Sequence, residues 1–436
     1  MRVAVVGLGK LGVPLAAVLA SKGHEVVGVD LDPLVVATIN AGTSPVEEPG
    51  VHERITSAGS RLLATGSFEE AVEKSDIAFV IVPTPSDDRG LFSNRFVLDA
   101  VSRIGAALKV RRGYYVVNIT STVMPGSTGG EIRTALEMTS GRKVGPDMGL
   151  TYNPEFIALG SVVRDLLRPD MLLIGESDPR AGDVLLATYS AILDSTPPIH
   201  RMNWINAEIA KIAINTYVTT KISYANMLAE ICEGLPHADI DVVTTALGSD
   251  SRIGSKYLRG ALGYGGPCFP RDNVALSALA RTIGRSADVA IATDMVNRRQ
   301  AQRVVNLVHL LRPEGPVAVL GMAYKVDTPV VDESQGVEIS RMLAELGYTV
   351  LIFDPLALSS AATALMGRVS PRANAAEAVA EADVVVVANP IDGLKTLPLS
   401  VFTSGEQRKV VIDCWRILPT SVADVADVLL MGRGPD

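Results

Sequence analysis

A cysteine sits in an unusual setting, Gly263-Tyr264-Gly265-Gly266-Pro267-Cys268-Phe269-Pro270-Arg271-Asp272. Prolines on both sides fix the backbone and the preceding glycines leave room for a ligand to approach, so Cys268 is placed as a nucleophile rather than as a small core hydrophobe. Nearby Arg271 favours its thiolate, and Asp272, four residues on, is a candidate to activate water. Upstream, Lys211 and Asn215 are four residues apart in a helical stretch and point from one face. A cation beside an amide can polarise a substrate oxygen or hold a developing oxyanion. The same pair would also suit a solvated helix face, and the cysteine loop that follows tips the reading towards chemistry. Cys232, on an apolar helix face, and Cys414, at a strand end, read as packing residues.

The second constellation is Gly7-Leu8-Gly9-Lys10-Leu11-Gly12, which follows a strand and opens a helix. Glycines there let the backbone turn tightly and approach a pyrophosphate, whose charge meets the helix N-terminus. Asp30, 23 residues beyond Gly7 at the end of the next strand, can accept hydrogen bonds from a ribose diol and would repel a 2′-phosphate. NAD is therefore expected over NADP. Two later strand ends, Val82-Pro83-Thr84-Pro85 and Ser121-Thr122-Val123-Met124-Pro125-Gly126, stand where the nicotinamide half would lie, although each alone would pass for a surface turn.

The elements that position these groups follow from periodicity. Strands are expected at 2–6, 25–29, 77–82, 114–119 and 149–152, alternating with amphipathic stretches, and again at 317–320, 349–353, 384–388 and 410–412, with a helix over 334–346. Such alternation predicts α/β architecture: two doubly wound, largely parallel Rossmann-like sheets covered on both faces. Between them, helical periodicity over 207–232 and 273–311 predicts a helical connector. The stretch 260–272, with its glycines and prolines, is read as a shaped loop that interrupts it. The expected division is residues 1–200 for the cofactor, 201–312 for the helical region with the cysteine loop, and 313–436 for a second nucleotide domain.

Composition excludes several other classes. The chain has 436 residues, 47% hydrophobic and 20% charged, which suits a multidomain soluble enzyme and not a disordered or disulfide-stapled protein. Its net charge of −8, without a long basic run, disfavours nucleic acid as a partner. Three widely spaced cysteines form neither a disulfide framework nor a Cys-x-x-Cys metal site, so no metal is expected and a reducing cytoplasm is the natural setting. The opening Met-Arg-Val-Ala-Val-Val-Gly runs straight into a strand, with no export signal expected, and no apolar run approaches the ~18 residues of a membrane span.

Taken together, these stretches resemble the UDP-glucose/GDP-mannose dehydrogenase family of nucleotide-sugar 6-dehydrogenases over nearly the whole chain. The matching segments are the N-terminal glycine motif, Ser121-Thr122-Val123 with Pro125-Gly126, Asn153-Pro154-Glu155-Phe156, Lys211 through Asn215, Arg252-Ile253-Gly254, the cysteine loop, and Gly321-Met322-Ala323-Tyr324-Lys325. The cysteine loop and the Lys/Asn helix are specific to that family; the glycine motif is not. The resemblance implies two successive NAD-dependent oxidations at C6 of a nucleotide sugar, UDP-glucose foremost, with Cys268 capturing the aldehyde and a thioester hydrolysed to the uronate. It implies Lys211 and Asn215 around the C6 oxygen, with Asp272, Thr122 and Glu155 positioning or activating water. Glu155, Phe156, Ile157, Gly265, Tyr257, Leu258 and Lys325 would contact the nucleotide sugar, and Arg252 a neighbouring subunit's sugar. Gly7, Gly9, Leu11, Gly12, Asp30, Pro83, Thr84, Thr122 and Arg271 would line the cofactor site, and a homodimer through the helical region is implied.

Three positions depart from the family pattern. Leu159 stands where the glucose enzymes usually carry a second glutamate, Asp332 where an arginine is usual, and Arg271 where a lysine is usual. Relatives that oxidise hexosamines also lack the second glutamate, so a UDP-N-acetylhexosamine or GDP-mannose substrate stays open as an alternative to UDP-glucose. A nucleotide-sugar-binding protein with impaired catalysis is a further reading. A single-step dehydrogenase of the 6-phosphogluconate type is another, although it needs neither the cysteine nor a second α/β domain.

Overall fold

The computed structural model describes residues 1–311, 313–403 and 408–435. Arg312 and Asp436, where the sequence places the ends of the helical region and of the second nucleotide domain, lie outside them. The chain divides into two compact units, Met1–Ala213 and Ile214–Asp436.

The first unit is built on eight strands: β1 (Arg2–Val6), β2 (Glu25–Val29), β3 (Leu62–Thr65), β4 (Ile77–Val80), β5 (Val116–Ile119), β6 (Gly149–Tyr152), β7 (Leu172–Glu176) and β8 (Ile199–Met202). Their order is β3-β2-β1-β4-β5-β6-β7-β8, and every pair is parallel except β6 with β7. Side chains alternate across each strand, so Val3 and Val5 enter one apolar cluster while Ala4 and Val6 enter the cluster on the opposite face. Burial on both faces explains why these strands read as continuous apolar runs.

The second unit carries β9 (Val317–Leu320), β10 (Val350–Phe353), β11 (Ser370–Pro371), β12 (Val384–Val387), β13 (Val410–Asp413) and β14 (Asp427–Leu430), all parallel, in the order β11-β10-β9-β12-β13-β14. This repeats the order of the first six strands of the other sheet. The expected fold class is thus present: two Rossmann-like sheets and an intervening helical region, Trp204–Glu233, Ile240–Ser249, Phe269–Thr282 and Asp288–Leu311.

Two expectations need correction. The stretch 273–311 is not one helix: it breaks after Thr282, where Gly284 adopts φ +67°, and resumes at Asp288. Nor is 260–272 loop throughout, because a helix starts at Phe269 and takes Pro270, Arg271 and Asp272 into its first turn. Proline is tolerated there since the amide it lacks would have had no intrahelical partner, and an acid in the first turn complements the helix dipole. The strands β3, β7, β8, β11 and β14 add to those expected. Of these, β8 (Ile-His-Arg-Met) is mostly exposed and β11 is two residues long, so neither leaves an apolar signal. Among the described residues no helix is long and apolar enough to cross a membrane.

His24, between the first helix and β2, is 3% exposed, and burial pushes its protonation below the usual histidine range. The folded state therefore favours the neutral ring to lower pH than the unfolded chain, which protonates it near pH 6.5. Its contribution to stability is complete above that pH and falls as pH drops below it, by at most about 1.4 kcal/mol per pH unit. Denaturant melts at pH 7 and pH 5 should show the wild type losing more stability than His24→Leu; equal losses would remove His24 as the cause.

Candidate active site

The glycine turn of the first unit is dictated by close approach. Gly7, at φ +94°, donates its amide to Val29 O at 2.8 Å, and a Cβ on it would stand 2.2 Å from Ile81 O. A Cβ on Gly12 would stand 1.8 Å from Gly7 O, so the helix Gly12–Ser21 packs directly on the turn. Gly9, by contrast, faces open space: nothing lies within 4 Å of where its Cβ would be. That opening is where a pyrophosphate can reach the backbone. Asp30 braces the turn, its Oδ2 accepting from Leu8 N at 2.8 Å and its Oδ1 from Asp32 N at 2.9 Å. One amide on each oxygen leaves each a lone pair for a ribose hydroxyl.

The second unit repeats this turn and alters it. Gly321, at φ +105°, donates to Phe353 O at 2.8 Å, and a Cβ on Gly336 would lie 2.0 Å from Gly321 O. Here the paired glycines are fifteen residues apart (336 − 321) rather than five (12 − 7), and the extra ten carry Lys325 and Asp332. The acid equivalent to Asp30 is Asp354, whose oxygens accept from four amides, those of Met322, Ala323, Leu356 and Ala357, at 2.8–3.0 Å. Its acceptor capacity is spent on the backbone, so this turn does not offer a ribose carboxylate as the first does.

The segments beyond β4 and β5 are tied to each other. Thr84 Oγ1 donates to Thr122 O at 2.7 Å and Val82 N donates to Ser121 Oγ at 2.9 Å, which joins the two segments singled out beyond β4 and β5. Pro83 is exposed beside them. Beyond β6, Lys211 Nζ donates to Glu155 O at 2.6 Å and stands 4.5 Å above the Phe156 ring. Phe156 and Ile157 pack against opposite apolar clusters; Leu159 joins Ile157 and Leu11 on one of them, so the departure at Leu159 is absorbed as packing. Tyr189 Oη donates to Glu155 Oε1 at 2.6 Å. Burial pushes the Glu155 carboxyl above its usual range, against the opposing hydrogen bond from Tyr189 and the charge of Lys211.

In the second unit the cysteine loop is shaped by side chains the sequence did not single out. Asn226 behaves as a strand partner, accepting from Ala261 N at 2.9 Å and donating to Leu262 O at 3.0 Å, and Asn297 does the same for Tyr264 N and O at 2.7 and 3.0 Å. Asn273 donates to Thr219 Oγ1 and Phe269 O. The only advance signal was an amide on an otherwise apolar helix face. Gly265 and Gly266 are required by proximity: their Cβ atoms would meet Glu333 O at 2.3 Å and the Tyr324 ring at 2.6 Å, and Gly266 N donates to Asp332 O at 2.9 Å. The departure at Asp332 therefore borders the cysteine loop through its backbone.

Cys268 stands at the N-cap of the helix Phe269–Thr282 with its side chain exposed, whereas Cys232 and Cys414 are buried. One turn on, Asp272 is 1% exposed; its Oδ2 accepts from Asn215 Nδ2 at 2.6 Å and its Oδ1 lies 3.6 Å from Arg271 Nε. Asn215 and Lys211 occupy successive turns of the continuous helix Trp204–Glu233. Tyr257, at φ +64°, is exposed with its ring 6.4 Å from Phe269, and Leu258 beside it is buried. Arg252 is exposed and paired with Asp250 at 2.6 Å, at a distance in sequence from these contacts. Lys325 borders a cleft of about 630 Å³ at the carboxyl ends of β9, β10 and β12, lined also by Thr328, Phe353, Asp354, Asn389 and Ile391. That is the switch point of the second sheet, where ligands of such folds bind.

A doubly wound sheet with this glycine turn and Asp30 at the end of β2, followed by a helix bearing lysine and asparagine, fits a dinucleotide-dependent dehydrogenase. The chain matches the NAD binding domain of the UDP-glucose/GDP-mannose dehydrogenase family over residues 1–193, its central domain over 205–299 and its UDP binding domain over 318–420. It is 34% identical to the UDP-glucose 6-dehydrogenase of Haloferax volcanii, covering 96% of this chain and 97% of that one. It is 30% identical to the GDP-mannose 6-dehydrogenase of Azotobacter vinelandii over 98% and 99%. Among solved structures, the UDP-glucose dehydrogenase of Pyrobaculum islandicum superposes with a TM-score of 0.90 at 31% identity, over 99% of this chain and 98% of that one. The chain belongs to the UDP-glucose/GDP-mannose dehydrogenase family, whose members are NAD-dependent nucleotide-sugar 6-dehydrogenases. NAD is its cofactor, and the open face at Gly9 with the spare lone pairs of Asp30 fits that group.

Proposed function

We propose that this protein oxidises the C6 hydroxyl of UDP-glucose to the carboxylate of UDP-glucuronate, with Cys268 as the covalent nucleophile. The observation that carries this reading is the exposed Cys268 thiol at a helix N-terminus, one turn before Asp272 of the buried Asn215–Asp272 pair. Amides of a first helical turn favour an anionic group at the helix N-terminus. Bound NAD, held by the Gly7, Gly9, Leu11 and Gly12 turn, Asp30 and the Pro83, Thr84 and Thr122 loops, supplies the hydride acceptor.

Lys211 and Asn215 hold the C6 oxygen as its proton leaves and the alcohol becomes an aldehyde. Cys268 sulfur then adds to the aldehyde carbon, giving a thiohemiacetal; once NADH has been exchanged for a second NAD as acceptor, loss of the second hydride and of the hydroxyl proton leaves a thioester. Water, positioned by Asp272, Glu155 and Thr122, attacks that carbonyl, the C–S bond breaks, and the thiol is restored as the acid leaves. Lys325, Tyr257, Leu258, Gly265, Phe156 and Ile157 bind the nucleotide sugar. Arg252, exposed and paired with Asp250, serves a neighbouring subunit. Exposed apolar side chains along Trp204–Glu233, among them Ile205, Tyr217, Tyr224 and Ile231, support a homodimer through that helix, to be checked by sedimentation. The three-part division at 200 and 312 into cofactor, helical and nucleotide domains belongs to the same reading, as does a cytoplasmic setting, in which a free catalytic thiol stays reduced.

The test is stoichiometric. Incubation with UDP-glucose should yield two equivalents of NADH per sugar and UDP-glucuronate by mass spectrometry; one equivalent would favour a single-step dehydrogenase. GDP-mannose and UDP-N-acetylhexosamines run alongside identify the substrate, since a higher kcat/KM with either would replace UDP-glucose.

A further inference from the structure

Glu208 precedes Lys211 by three residues on the helix Trp204–Glu233 and is fully buried. Its carboxylate is spent on a distant segment: Oε2 accepts from Gly126 N at 2.6 Å and Oε1 from Thr128 N at 2.8 Å. Those amides lie just beyond Thr122, where the chain leaving β5 turns at Gly126 (φ +96°) into the irregular helical segment Thr128–Ile132. The same loop is tied at its other end by the Ser121 and Thr122 bonds to Val82 and Thr84. It is therefore held from two sides, by the end of β4 and by the helix that carries Lys211. Burial pushes the Glu208 carboxyl above its usual range, and the two amide hydrogen bonds oppose that shift by favouring the ionised form.

A buried carboxylate is an expensive anchor for a loop, which a shorter neutral side chain could cap locally. What Glu208 adds is a rigid link between two groups: i and i+3 on a helix share a face, so fixing Glu208 to the loop fixes Thr122 with respect to Lys211. We infer that Glu208 is a positioning residue that sets the Thr122 loop against Lys211 for hydride transfer, without touching substrate or cofactor. The inference rests on the dehydrogenase reading.

The test compares Glu208→Gln, which keeps the length and one acceptor, with Glu208→Ala. Misplacing reacting groups by about an ångström costs up to about a hundredfold in rate. Accordingly kcat should fall about tenfold in Glu208→Gln and about a hundredfold in Glu208→Ala, while KM for the sugar and the Kd for NAD, titrated without sugar, change less than about threefold. Hydrogen exchange should quicken over residues 122–132 and stay unchanged elsewhere in the first unit. A kcat within about twofold of wild type in both variants would overturn the inference. So would faster exchange throughout residues 1–213 with a lowered Tm, which would make Glu208 a support of the fold alone. Should wild type turn over no nucleotide sugar, the functional reading fails, and the exchange data still judge the clamp by themselves.

Discussion

Cys268→Ala is expected to abolish formation of the uronate, with a loss on the order of a thousandfold or more, while the fold and NAD binding persist. The side chain is exposed, so its removal belongs with surface substitutions, within about 0.5 kcal/mol of neutral. On the proposed reading NAD meets the glycine turn of the first unit, which does not include this residue. Without sulfur there is no thiohemiacetal to carry the second oxidation, and any product stops at the aldehyde. The other two cysteines provide the control. Burial pushes the Cys232 and Cys414 thiols up, away from the reactive thiolate. Iodoacetamide near neutral pH should therefore alkylate Cys268 first and inactivate the enzyme in step with that label. Undiminished uronate production by Cys268→Ala, or inactivation that tracks Cys232 instead, would remove Cys268 from its role.

Lys211→Met is expected to lower kcat by about a hundredfold, the magnitude lost with one oxyanion donor. Its structural consequences make the prediction more specific. Lys211 holds the backbone at Glu155 and its charge opposes the burial that raises the Glu155 carboxyl. Deleting that charge raises the Glu155 pKa further, so the carboxylate survives over a narrower range. If Glu155 works ionised beside the attacking water, activity is lost as pH falls through its pKa, and the acid limb of the pH–rate profile must move to higher pH in Lys211→Met. Lys211→Arg keeps the charge but not the compact ammonium, so its limb should stay near the wild-type position while kcat drops. A limb that moves down, or a kcat near wild type in Lys211→Met, would contradict this assignment.

Much of this was legible beforehand because it depends on local rules. The strands β1, β2, β6 and β9 fell where apolar runs placed them, since both sheets are buried on both faces. Elements with weak local signals are not legible in the sequence. Exposed β8 carries histidine and arginine, and the helix over 273–311 looked continuous because one glycine in an apolar pattern is a weak breaker. The start of the helix at Phe269 was obscured by Pro270, which reads as a loop residue but is equally at home in a first helical turn.

Local type and spacing are enough to single out the groups proposed to act: the glycines at 7, 9 and 12, Asp30 behind them, Cys268 among glycines and prolines, and Lys211 one turn from Asn215. A tight turn, a strand end and a helix face are properties of neighbouring residues, so a pattern can state them. The tertiary structure alone decided what holds these groups in place. Glu208 clamps amides some eighty residues away, Asn226 and Asn297 stand in as strands for the cysteine loop, and Asp354 spends on its own backbone the acceptors that Asp30 keeps free. The reason is that a buried polar group must find a partner wherever the fold brings one, and that distance is not written in local spacing.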